Sequence, residues 1–383
     1  MFYKSVNLFY EPEMVCNQIT ENQSEKYSEM TSFEKAFLCG LLKEKRPKKI
    51  VELGVSGGGT TAVILTCLKL LQSTGGGGKI YSVDLEEKWY RNSKKETGFL
   101  VKEYMDQLIG LTDHKFLLGK PIPYVMNEIG PGIDFLILDT THVMPGELLD
   151  FLICYPYLNE GCIVVLHDVL ENYFSCDSNR ISTKLLFDLI HGEKWYMNDK
   201  SSDAFGLSNI AAFEVSKKTM ESIAPIFSAL TFSWTYMFEK EDTEKYIESI
   251  KENYGERYEK YMEKIFMMQR STQIKMCINN HYRLSYDFLE FKWRKQKNVF
   301  LYGTGYWAKI YYEFAQINSL PICGYVVSDD QDIEINKENG MNIYKLNELD
   351  YKPEECSFVL ALDHKYYTQV KRNLENKGYY IIL

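Results

Sequence analysis

Two short stretches hold the residues best suited to chemistry: Asp139-Thr140-Thr141-His142 and His167-Asp168. Asp139 closes an apolar run at 133–138, and His167-Asp168 closes another at 162–166. If those runs are neighbouring strands, the carboxylates of Asp139 and Asp168 converge on one hard divalent cation, Mg2+ or similar. Such a cation would grip a substrate oxygen and lower the pKa of its hydroxyl. His142, three residues past Asp139, would take the proton, because an imidazole titrates near neutrality. Plainer roles compete. A strand-end Asp139 can cap a helix or form a turn, and His142 can be a surface loop histidine. His167 can be a ligand, a second base or a satisfied strand-end histidine.

A second constellation surrounds residues 48–62, KKIVELGVSGGGTTA. The apolar run 49–53 suits a buried parallel strand, the glycines at 54, 57, 58 and 59 suit a turn, and 60–71 suits a helix. Glycines there would let the backbone pass close to a ligand, while the first N–H groups of the helix face its polar atoms. A flat, polar ligand is expected on this loop. Gly54-Val55-Ser56-Gly57-Gly58-Gly59 does not match GxGxxG, the dinucleotide pattern. It reads Glu52-Leu53-Gly54 followed by Gly58, and the next strand, 79–84, ends in Asp84, where a carboxylate could accept both ribose hydroxyls.

The elements that must position these groups alternate between strand and helix. Thr31-Ser32-Phe33-Glu34 offers a helix cap, and Phe33, Ala36, Phe37 and Leu41 share a helix face before the first strand. A flexible connection at 75–78, a helix at 98–111, a strand at 115–118, a short helix at 121–129, the strand at 133–139, a helix at 145–158 and the strand at 162–168 follow. A helix at 181–191 and closing strands near Trp195 and 205–213 complete the unit. This order predicts a doubly wound, mostly parallel α/β sheet. Gly54, Asp84, Asp139 and Asp168 all fall at carboxyl ends of strands, where ligands of such sheets collect.

The glycine turn with Asp84 resembles the first two motifs of the class I S-adenosylmethionine-dependent methyltransferases. Residues 133–169 resemble the metal-dependent sugar and small-molecule O-methyltransferases related to catechol O-methyltransferase, and their cephalosporin-hydroxylase-like relatives. The resemblance spans roughly residues 35–215. It implies S-adenosylmethionine as cofactor, with Glu52, Gly54, Ser56, Gly57, Gly58 and Asp84 around it. It also implies Asp139 and Asp168 as metal ligands, and His142, Asp139 and His167 in catalysis. The acceptor would be a sugar or other small-molecule hydroxyl, as in surface polysaccharide or natural-product synthesis. The sequence departs from the family at Thr141, where many relatives carry a second acid, and at His167, where Glu or Asn stands. A non-catalytic cofactor-binding or nucleotide-sugar-binding scaffold with a degenerate methyltransferase fold is the alternative.

A length of 383 residues predicts two or three domains. The divisions expected are an N-terminal extension at 1–30, a methyltransferase domain at 31–215, a helical segment at 216–297 and a small domain at 298–383. The extension reads as irregular and polar, with Phe2-Tyr3 and Phe9-Tyr10 able to fold over the active-site mouth. In the helical segment, Ile247, Ile250, Tyr254, Tyr258, Tyr261, Ile265 and Met268 form one narrow stripe, a candidate homodimer contact beside packing onto the chain itself. The last domain opens with a strand and Gly303-Thr304-Gly305-Tyr306-Trp307-Ala308, with Asp329 ending the next strand. This resembles the small Rossmann-like domain of surface-sugar-modifying enzymes and implies a nucleotide or nucleotide-sugar at Gly303, Gly305 and Asp329. An NAD-linked enzyme is a further reading of the same loop.

A net charge of −9 and the lack of a long basic block argue against a nucleic-acid partner. No apolar run approaches the ~18 residues of a membrane span, and the first residues lack a signal pattern, so a cytoplasmic location is expected. The nine cysteines show no CxxC pair, and neither disulfides nor a zinc site are assigned.

Overall fold

Lys49–Leu53 forms strand β1, buried at four of its five positions. A computed structural model describes the chain at residues 3–21, 28–75, 77–110, 112–202, 204–283, 285–331 and 337–383; Phe2, Gly76 and Leu111 lie outside these. β1 pairs in parallel with β2 (Lys79–Asp84) on one side and β4 (Ile133–Leu138) on the other. β3 (Asp113–Leu118) flanks β2, and β5 (Leu158–His167) flanks β4. The pairs run level: Leu53 lies opposite Val83 and Leu138, and Leu138 opposite Leu166. Gly54, Asp84, Asp139 and His167 are therefore neighbours along one rim. At the other end Asp134 Oδ2 accepts from the amides of Lys48 and Lys49 at 3.1 Å each, holding the amino ends of β1 and β4 together.

β6 (Lys194–Trp195) and the antiparallel β7 (Ile210–Glu214) complete a seven-stranded sheet of order β3-β2-β1-β4-β5-β7-β6. Alternate strand residues face opposite layers, as a two-residue period demands. Ile50, Ile80, Phe135 and Ile163 meet helices α2 (Ser32–Lys45), α3 (Gly59–Leu70) and α4 (Phe99–Leu108). Phe213, on the other face, lies 5.5 Å from the ring of Phe151 in the helix Gly146–Cys154. Each fully buried leucine or phenylalanine of these layers contributes roughly 1.5–3 kcal/mol. The doubly wound, mostly parallel arrangement is as expected.

The N-terminal stretch differs from expectation. Helix α1 (Glu11–Ile19) starts at Glu11-Pro12, where a proline suits the first turn, and buries Cys16 in the same layer as α2 and α3. Tyr3 packs on Phe187 and Tyr196, and Phe9 against the core, so these rings are spent on packing.

The chain divides into compact units at 1–265 and 266–383, so the helical segment is shared between them. Its stripe is not one helix face, because Lys240–Tyr254 and Glu256–His281 are separate helices broken at Gly255, φ 83°. Tyr246, Ile250, Met262 and Ile265 are buried, whereas Tyr261 and Met268 are exposed. Tyr254 is tied to the first unit by its hydroxyl, which donates to Leu152 O at 2.6 Å.

The second unit holds a six-stranded sheet. Its strands are β8 (Val299–Tyr302), β9 (Gly324–Val327), β10 (Lys337–Glu338), β11 (Met341–Lys345), β12 (Ser357–Leu360) and β13 (Tyr380–Ile381). Their order is β10-β11-β9-β8-β12-β13, with β10 antiparallel and the others parallel. Separate apolar clusters cover its two faces. Among the described residues no helix is long and apolar enough to cross a membrane.

The level strand ends require glycine at 54. An added Cβ would lie 1.8 Å from the carbonyl oxygen of Asp139, at a φ of 92° that side chains rarely adopt. Gly54→Ala is expected to destabilise the protein by roughly 2–4 kcal/mol, measured as a lower urea midpoint. An unchanged midpoint would refute this packing of β1 on β4.

Candidate functional site

A cleft of about 420 Å³ opens along the rim, lined among others by Gly54, Ser56, Asp84, Leu85, Ile122 and Asp139. The glycine loop forms one wall, and its shape has a different origin from the one expected. At Gly58 (φ 89°) a Cβ would lie 3.0 Å from Gly98 Cα, so at positions 54 and 58 glycine answers to the protein's own backbone. Asp84 holds the loop: its Oδ2 accepts from the amides of Val55 at 2.8 Å and Ser56 at 3.0 Å, and Oδ1 from Glu86 at 2.9 Å. A carboxylate has about four acceptor sites. Asp84 therefore has roughly one left rather than enough for both hydroxyls of a ribose.

Ser56 sits at φ 52° and its Oγ accepts from Trp89 Nε1 at 3.1 Å, while Gly57 is buried behind it. Gly58 precedes helix α3 as its N-cap and offers no capping side chain, which leaves first-turn N–H groups for polar ligand atoms. Beneath the loop Glu52 is fully buried. Its Oε2 accepts from Thr61 and Ser82 hydroxyls at 2.7 Å each, and Oε1 has no partner among the described residues. Burial pushes this carboxyl up to about 7 against those two hydrogen bonds.

Asp139, His142 and Asp168 come together beyond the loop, each offering a ligand atom within 4.8 Å of the others. His142 Nε2 is 3.1 Å from Asp168 Oδ2 and 3.8 Å from Asp139 Oδ1. His142 Nδ1 is 3.2 Å from Glu147 Oε1, which also accepts from the His142 amide at 2.9 Å. His167 Nδ1 is 3.0 Å from Asp139 Oδ1 and 3.4 Å from Asp168 Oδ2, with Glu34 Oε2 3.6 Å from its Nε2. His142 and Asp168 have φ of 60° and 58°, a backbone state that costs energy and clusters at working sites.

These contacts set the charge states. Burial opposes a proton on His142, but the hydrogen bond and charge of Glu147, followed by the charges of Asp168 and Asp139, prevail and raise it to about 9. Burial likewise opposes charge on His167, and Asp139, Asp168 and Glu34 outweigh it, holding that imidazole well above its ordinary value. Burial works against ionising Glu34, Asp139 and Glu147, yet the imidazoles lower all three. Two imidazolium ions thus stand among four carboxyl groups. The donor set, two carboxylates with an imidazole, fits a hard divalent cation, and imidazole can join it only by releasing a proton.

Gly54, Ser56, Asp84 and Asp139 line this cleft, Glu52, Gly57 and Gly58 lie in or beneath its loop, and His142, His167 and Asp168 cluster with Asp139. Glu34, Glu147, Asp150 and Asn209 were missed. Glu34 forms the anticipated capping box with Thr31, and that role hides its second one at His167. Glu147 and Asp150 lie on the apolar helix GELLDFLIC, where two acids among leucines are themselves a signal. Asn209 donates through Nδ2 to Asp168 Oδ1 across β5 and β7.

In the second unit, Gly303 (φ 110°) is required because a Cβ would meet Ala361 O at 2.8 Å. Asp329 accepts from the Asn347 amide and pairs with Lys377 at 3.7 Å. Space above Gly305 is open. These contacts explain Gly303 and Asp329 from within the unit, without a nucleotide.

Residues 51–169 match the family model of a methyltransferase domain, a span that takes in the loop, Asp84, Asp139, His142 and Asp168. No curated protein matches the chain. Among solved structures, the O-methyltransferase TomG of Streptomyces achromogenes, involved in tomaymycin synthesis and bound to S-adenosylmethionine, is 12% identical over 55% of this chain and 92% of its own, with a TM-score of 0.36. An O-methyltransferase of Bacillus cereus with S-adenosylhomocysteine is 15% identical over 53% and 90%, TM-score 0.36. The MycE methyltransferase of the mycinamycin pathway, with Mg, S-adenosylhomocysteine and mycinamycin VI, is 15% identical over 53% and 55%, TM-score 0.35.

Because the fold raises the His142 imidazole from 6.5 to about 9, the folded state binds that proton more tightly than the unfolded chain. The stabilisation is complete below pH 6.5 and is lost as pH rises to about 9. Urea midpoints of chelator-treated protein are expected to fall across this window, and His142→Gln to remove part of the fall. A profile flat over the same range would contradict the ion pairs described.

Proposed function

We propose, from the premise that this chain is a class I S-adenosylmethionine-dependent methyltransferase, that it delivers the methyl group to a hydroxyl of a small molecule, sugars included, with a divalent cation assisting. The observation that carries this reading is the meeting of Asp139, which lines the cleft that begins at the glycine loop, with His142 and Asp168 within 4.8 Å. When bound, the cofactor would supply a sulfonium-activated methyl group and the cation Lewis acidity toward an acceptor oxygen.

The chain's own part is placement and proton handling. The open first turn of α3 would receive the charged amino-acid end of the donor, with Asp84 keeping the loop in shape and Glu86 beside it lining the cleft. Asp139 and Asp168 would hold the cation, while Glu147 and Glu34 steady the two imidazoles from behind. His142 either completes the ligand set or takes the acceptor's proton. Both uses need a neutral imidazole, so activity should rise toward alkaline pH. In-line alignment of acceptor oxygen and methyl group does the remaining work.

A second reading is transfer without a metal, favoured by the charge already supplied by the two imidazolium ions. The two separate cleanly in one assay of labelled methyl transfer to a panel of sugars and phenols. Asp168→Asn is expected to lower kcat/KM by about a hundredfold or more, and EDTA to do the same reversibly. Full activity in EDTA would leave His142 as the sole base, and cofactor binding without turnover on any acceptor would favour a scaffold.

A further inference from the structure

The second unit carries a cavity of about 640 Å³, large enough for a small molecule. Its walls are Asn280, Tyr282, Arg283, His364, Tyr367 and Leu383, all within residues 266–383, and none belongs to the glycine loop 303–305. Topology explains the place. From β8 the chain builds β9 and β11 on one side of the sheet and then β12 and β13 on the other, so the order reverses between β8 and β12. Ligands of parallel α/β sheets gather at such a reversal, beyond the carboxyl ends of the strands. His364 lies just past the end of β12 and Leu383 just past that of β13, where the Leu360 amide donates to Leu383 O at 3.1 Å.

Every polar side chain on these walls can donate a hydrogen bond, and no carboxylate side chain is among them. Tyr282 is pinned, because its hydroxyl donates to Leu362 O at 2.6 Å, and its ring stands 4.5 Å from that of Tyr367 and 5.0 Å from the His364 imidazole. The three rings form a fixed apolar wall. Arg283 has no hydrogen-bond or ion-pair partner among the described residues, although it is held at φ 51° just past a helix end, where glycine is usual. The Tyr367 hydroxyl accepts from Lys371 Nζ at 3.5 Å, which leaves its own proton to give. Helix His364–Asn376 also begins here, and the side chain of its N-cap, the exposed Asp363, makes no capping bond, so first-turn N–H groups remain for a ligand.

We propose that this cavity binds a phosphate monoester of a small ring compound, with Arg283 and the start of helix His364–Asn376 on the phosphoryl oxygens and the ring against Tyr282 and Tyr367. Donors gathered without an opposing carboxylate suit an oxyanion. The guanidinium fork takes two oxygens, and the helix start and the Tyr367 hydroxyl are left for a third, which matches the three outer oxygens of a phosphoryl group better than the two of a carboxylate. The site shares no residue with the cleft at Asp139 and does not depend on methyl transfer.

Calorimetric titration of the full chain with glucose 1-phosphate and phenyl phosphate, beside glucose, phenol and the carboxylate glucuronate, tests the assignment. Both a sugar and a planar ring are thus sampled. At least one phosphate is expected to bind about tenfold or more tightly than its parent alcohol and than glucuronate, and the order of the two phosphates identifies the kind of ring. Arg283→Gln should lower the affinity for that phosphate by about tenfold or more, with an unchanged melting temperature because Arg283 is exposed. Hydrogen exchange then locates the ligand: the phosphate should protect the first turn of helix His364–Asn376 in the wild type, and do so far less in the variant at the same concentration. Failure of both phosphates to bind at millimolar concentration, binding no tighter than glucuronate, wild-type affinity in Arg283→Gln, or protection confined to residues 51–169 would each overturn the proposal.

Discussion

Four carboxyl groups and two imidazoles meet at the carboxyl ends of β4 and β5, and charge compensation among them is the constraint on which the site depends. Removing water from an unpaired ion costs several kcal/mol, and the imidazoles of His142 and His167 offset that cost for Glu34, Asp139 and Glu147. The arrangement stores a choice. Any divalent cation that balanced the carboxylates in place of the imidazolium ions would release their protons.

That cluster exists because parallel strands are paired level. Asp139 and His167 come from consecutive parallel strands, and one residue of slip in β4 or β5 would turn a rim side chain to the opposite face. Asp134 pins one end of the β1–β4 pair and the Gly54–Asp139 approach closes the other. The polar rim is therefore positioned by apolar packing and backbone hydrogen bonds far more than by its own contacts. Asp84 illustrates the division of labour, since a side chain expected to serve a ligand is largely occupied in holding the loop.

What could be read beforehand follows from the range of each interaction. β1, β2, β4 and the buried half of β5 are short apolar runs ending in Gly or Asp, so local pattern sufficed for them and for the rim residues. Helix α1 was missed because its residues, EPEMVCNQI, show little periodic apolar pattern, and its burial is decided by α2 and α3. The supposed stripe failed at Gly255, where a positive φ ends a helix that spacing alone would continue. Glu34, Glu147 and Asp150 were missed for a common reason. Each has a satisfactory local role on its own helix, and only the fold reveals the second partner.

The cleft's two ends draw on different parts of the chain, and this bears on how selectivity can be built. The charged end comes from residues 139–168, inside the matched methyltransferase domain. The aromatic wall comes from Tyr236, Phe238 and Tyr246, outside it. Chemistry needs donors fixed to a few tenths of an ångström, which strand ends supply. Ring stacking is less exacting about position, so a helical segment packed over the cleft can provide it. Changes in that segment can therefore alter what the apolar end accepts while the cluster at Asp139 stays in place.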